Sequence, residues 1–143
     1  MRGGPAVLAA LALSACTTGP VVDVPPDPRI RTLVTEPVGE FLADARVASF
    51  LAQGCDDVVM TQELFNVLVI TRETGGAAGA RFDPRTASRE AAVATARRFA
   101  DLRARYGRAA LRRSTCPAIA AETEAGAPAT AFLTRFADDA PTG

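Results

Sequence analysis

The chain has 143 residues, 48% of them apolar, and its sixteen basic side chains are matched by sixteen Asp plus Glu, with no histidine or tryptophan. This balance gives no global field for nucleic acid or any other polyanion. The lack of histidine removes the usual general base, the Ser-His and Cys-His nucleophile pairs and the commonest metal ligand, so a non-catalytic chain without metal or cofactor is expected.

At the N-terminus, Arg2 precedes the apolar run Ala6 to Leu13, which is too short to span a bilayer. It ends in Leu13-Ser14-Ala15-Cys16, which looks like a bacterial lipobox. On that reading residues 1–15 are a signal peptide and Cys16 becomes the lipidated first residue. Thr17 stands where an aspartate would often retain a lipoprotein at the inner membrane. The expected address is therefore the outer membrane, facing the periplasm.

Residues 16–36 read as a lipidated N-terminus and linker, because Pro20, Pro25, Pro26 and Pro28 favour an extended tether. A domain over 37–137 and a tail over 138–143 account for the rest. Its remaining cysteines, Cys55 and Cys116, form an even pair in an oxidising compartment, and a disulfide is expected rather than two buried thiols. Closing a loop of about sixty residues stabilises the fold by roughly 4 kcal/mol in the chain-entropy model.

Pro37 starts a predicted helix that runs to Gln53 and stops at Gly54. Val38, Phe41, Leu42, Ala45, Ala48 and Ala52 form its stripe, while Val47, Phe50 and Leu51 fall outside it. Such a helix is either the central element of its domain or shows one face to a partner. Cys55-Asp56-Asp57 opens a second predicted helix, with Val58, Thr61, Leu64, Phe65, Leu68 and Arg72 on one face. The β-branched run Val67 to Ile70 fits a strand equally well, and helix is preferred because no second strand is evident to pair with it.

Thr74 to Gly79 is a loop rather than a dinucleotide-binding turn, since too few strands remain for a βαβ sheet. Asp83 caps and Pro84 begins a long helix to Tyr106, stopped by Gly107. Ala91, Thr95, Phe99, Leu102 and Tyr106 form its predicted inner face. Cys116-Pro117 begins a short helix to about Ala125, and a final helix is predicted from Pro128 through Phe132, Leu133 and Phe136.

Seven arginines lie between Arg97 and Arg113, with Asp101 the only acid among them. Arg97, Arg105, Arg108 and Arg112 could grip phosphate or an acidic partner. Alternatively they form a solvated face on which Asp101 pairs with Arg97 or Arg105. The carboxylate pairs Asp56-Asp57, Glu122 with Glu124, and Asp138-Asp139 sit at helix ends or a terminus, where acids serve as caps or solvated residues.

The order of features from Phe41 onward resembles a family of small exported bacterial proteins classed only as a domain of unknown function. The resemblance rests on Cys55, on Gly79 with Phe82-Asp83, on Cys116, and on Ile119 to Gly126 followed by Phe132-Leu133. It supports the fold and the disulfide and implies no activity. The expected protein is thus an all-α bundle of four to five short helices, stapled by Cys55 and Cys116 and tethered to a membrane through Cys16. Its expected role is to bind an envelope protein through Val47, Phe50 and Leu51 or through the arginines. The alternative is capture of anionic lipid or lipopolysaccharide by the same arginines.

Overall fold

A computed structural model describes residues 27–74 and 83–136. The signal segment, Cys16, the glycine-rich loop after Thr74, Asp138-Asp139 and the tail lie outside the described residues. Along the described chain run α1 (Pro28–Thr35), α2 (Val38–Gln53), β1 (Val58–Met60), α3 (Gln62–Thr74), α4 (Pro84–Tyr106), α5 (Arg108–Arg113), α6 (Cys116–Glu124), a 3-10 turn (Pro128–Phe132) and β2 (Leu133–Arg135). The fold is all-α apart from one two-stranded ribbon, and Cys55 is bonded to Cys116.

The linker expected through Glu36 ends earlier than predicted. Pro28 occupies the first turn of α1, where its missing N–H costs nothing, and the Asp27 carboxylate accepts the Arg29 amide at 2.9 Å. Proline here starts a helix instead of forbidding one. Ile30 and Leu33 of α1 are buried, so α1 belongs to the folded domain.

α2 is the central element. Phe41, Ala43, Ala48 and Leu51 are fully buried and Val38, Ala45 and Val47 nearly so, which places apolar contacts around most of the helix. α4 packs along it, and Gly39 sets how closely: a Cβ there would sit 2.6 Å from Glu90 Cβ and 2.9 Å from the Glu90 backbone. Opposite it the buried α4 positions are small, Ala87, Ala91 and Ala94, with Leu102 further along. Thr95, Phe99 and Tyr106, expected on the inner face, are only half-buried.

Phe41 also anchors the other side of α2. Its ring stacks on Phe65 of α3 at 5.5 Å and meets Phe132 edge-on at 6.0 Å. Burial of each such ring is worth about 1.5–3 kcal/mol.

Two predicted helix starts are corrected. Residues after Cys55 form a turn and β1 before α3 begins at Gln62. The predicted last helix is a 3-10 turn followed by β2, which pairs antiparallel with β1 in the register Val58 to Arg135, Val59 to Thr134 and Met60 to Leu133. Each half of this ribbon is three residues long, too brief for an alternating pattern to show. The Cys55–Cys116 bond, with Cα atoms 5.0 Å apart, holds the start of the ribbon to α6.

Candidate functional site

Gly107 separates α4 from α5 with φ at 80°, a region that glycine enters far more readily than other residues. The chain then restarts as α5, and Arg108 and Arg112, one turn apart, join Arg103 of α4 around an open groove of about 370 Å³. Phe50, Phe99 and Leu111 complete the lining. Phe50 and Phe99 meet edge-to-face at 5.1 Å, and the Arg103 guanidinium lies over the Phe99 ring at 5.9 Å. Among the described residues, no carboxylate stands within ion-pair distance of Arg103, Arg108 or Arg112. Three like charges thus converge on an apolar floor.

The expected interaction residues divide. Val47 and Leu51 are buried in the core, so the open face predicted for α2 narrows to half-buried Phe50. Arg97 is paired with Glu40. Arg105 reaches Glu122 of α6 at 2.7 Å, and the Tyr106 hydroxyl donates to the same carboxylate oxygen at 2.7 Å. Neither arginine takes Asp101 as its ion-pair partner, because the folded chain brings buried or half-buried acids from other helices closer. Of the predicted set, Phe50, Arg108 and Arg112 line the groove, where Arg103, Phe99 and Leu111 join them.

A second cluster lies where α1, α2, α3 and α4 meet, and its members went unnoticed as a group. Asp44 is 2% exposed and accepts from Arg98 Nη2 at 3.1 Å. The same nitrogen stands 3.2 Å from Glu40 and 4.0 Å from Glu36. Glu36 and Asp44 thus flank one guanidinium nitrogen, and each bears on the ionisation of the other. Arg72, 1% exposed, donates to the backbone carbonyls of Leu33 and Glu36, with its guanidinium 4.9 Å from the Phe41 ring centre.

Burial, reinforced by the Asp44 charge, pushes Glu36 up to about 8 against the pull of Arg98 and Arg72. Burial likewise pushes Asp44 up to about 6, opposed by Arg98. The Arg72 guanidinium is lowered by burial, opposed by Glu36, and an arginine still keeps its charge. The sequence signal for this cluster is the recurrence of Glu36, Glu40 and Asp44 every fourth residue along α2 and its lead-in, with Arg97-Arg98 as the paired charges on α4.

The acid pairs weighed from sequence do not assemble a site. Asp56 and Asp57 are exposed on the turn before β1, and Glu124 is exposed while Glu122 is buried. Among the described residues no group of three or more His, Cys, Asp or Glu side chains is arranged to hold a metal ion, and no helix is long and apolar enough to cross a membrane. Comparison with protein-family models, curated proteins and solved structures finds no match. Residue roles therefore rest on the chemistry of this chain.

Proposed function

We propose that this protein is a non-catalytic interaction module of the bacterial envelope, tethered to the outer membrane through lipidated Cys16, and that it docks an acidic segment of an envelope protein. The observation that carries this reading is the groove between α2, α4 and α5. Arg103, Arg108 and Arg112 supply guanidinium groups without an acid of their own among the described residues. Carboxylates from a partner complete bidentate pairs with such groups. Phe50, Phe99 and Leu111 offer an apolar seat for one side chain of that segment.

An anionic lipid is the second reading, favoured by the same arginines, since phosphate suits guanidinium equally well. The recessed floor argues for the protein. Phe50 and Phe99 are half-buried and Leu111 is buried, so they receive an inserted group rather than insert into a bilayer.

The test is a crosslinked pull-down from envelopes with the full-length lipidated protein and its Arg108→Glu/Arg112→Glu variant. Wild type captures one stoichiometric protein, and charge reversal removes it. Equal capture by both, or copurifying lipid alone, overturns the docking of an acidic protein segment.

A further inference from the structure

We propose that the Glu36–Asp44 pair is a proton-operated latch: one shared proton fastens the α1–α2 corner to α3 and α4, and its loss frees α1. Glu36 Oε1 is buried and finds no donor among the described residues, and its carboxyl neighbour, Asp44, can only accept when ionised. Two carboxyls hydrogen-bond each other only if one keeps its proton. With that proton in place the pair is satisfied, and without it two buried anions face each other.

The charges around the pair come from every element packed on it. α2 adds Glu40, which is also paired with Arg97 of α4; α4 contributes Arg98, shared among Glu36, Glu40 and Asp44; and α3 contributes Arg72. The Glu122 charge on α6 further disfavours ionisation of Asp44. Arg72 is committed to the carbonyls of Leu33 and Glu36, so it ties α3 to the end of α1 without giving the Glu36 carboxylate a donor. Arg98 donates to Asp44 at 3.1 Å, while its approach to Glu36 is longer, at 4.0 Å. A second negative charge would share Arg98 with the first, although the buried Nε atoms of Arg72 and Arg98 have no hydrogen-bond acceptor among the described residues.

The step is simple: the shared proton passes to solvent base, and no other bond changes. Its consequence falls on α1, the element nearest the chain's tethered end. α1 is held to the body by Ile30, Leu33, the Arg29 contact to Thr130 at 3.1 Å and the Arg72 bonds. The latch is independent of what the groove binds.

The sign follows from linkage. The Glu36–Asp44 pair keeps a proton in the folded chain that the unfolded chain releases near the ordinary carboxylate pKa, so its contribution to stability is full below that pKa and is lost as pH rises towards 8.

The test uses full-length protein in detergent. The wild-type unfolding midpoint should fall between about pH 5 and about pH 8, whereas Glu36→Gln, which keeps a donor without a titrating proton, should lose most of that slope. Hydrogen-exchange protection of α1 amides in wild type should drop at least tenfold across the same interval, since each pKa unit of differential binding is worth a factor of about ten. Should the variant fail to fold, carbon NMR of the wild-type Glu36 carboxyl decides: a midpoint near neutrality or above supports the latch. A midpoint in the ordinary carboxylate range, equal slopes in both proteins, or unchanged α1 protection overturns it.

Discussion

Arg72 shows how a single charge can organise a helical core. It is among the largest fully buried side chains, yet its hydrogen bonds go to the backbone carbonyls of Leu33 and Glu36 at the end of α1, where a helix leaves acceptors unmet. Arg72→Leu should therefore strand both carbonyls and lower stability by about 3 kcal/mol, measured by urea unfolding. Arg112→Leu, on an exposed rim, should stay within about 0.5 kcal/mol of wild type. Helical spacing put Arg72 on the inner face of α3 together with Leu68, and both are buried. Why a charge could sit there was not legible, because its acceptors arrive from α1, a segment that its prolines made look like linker.

At the scale of elements, α2 and α4 were the most legible. Pro37 and Gly54 flank the first, and Asp83, Pro84 and Gly107 bound the second, where the Asp83 carboxylate accepts the Arg85 amide. Their mutual approach depends on Gly39, so Gly39→Ala should cost about 1–3 kcal/mol through overpacking against Glu90, with the urea midpoint as its measure. β1 and β2 escaped prediction for the opposite reason. Each has three residues and gains its order from its partner across the chain, through Thr61 N to Phe132 O at 2.7 Å and Phe136 N to Asp57 O at 3.1 Å. Local propensity had nothing to read there. The groove has a similar origin: Arg103, Arg108 and Arg112 were visible as part of a basic stripe. Their convergence on Phe50 depends on the break at Gly107 and on α2 crossing α4.

Across the whole molecule, a small core is supported by one covalent link between residues 61 apart in sequence. Reduction of Cys55–Cys116 should remove about 4 kcal/mol, read as a lower urea midpoint in the presence of reductant. The disulfide was legible from the even pair of cysteines left once Cys16 is read as a lipidation site. The allocation of arginines was not, because it is decided by which acids the tertiary fold brings near. Arg97, Arg98 and Arg105 are spent on Glu40, Asp44 and Glu122, whereas Arg103, Arg108 and Arg112 remain at the groove.

The docking of an acidic partner there is tested most directly by photocrosslinking in intact cells, with a photoreactive residue placed at Arg112 and, as control, at exposed Ile70 of α3. The account predicts one protein adduct from position 112, absent from position 70 and lost when Arg108→Glu is added. Adducts of the same size from both positions, or lipid adducts alone at position 112, would contradict it.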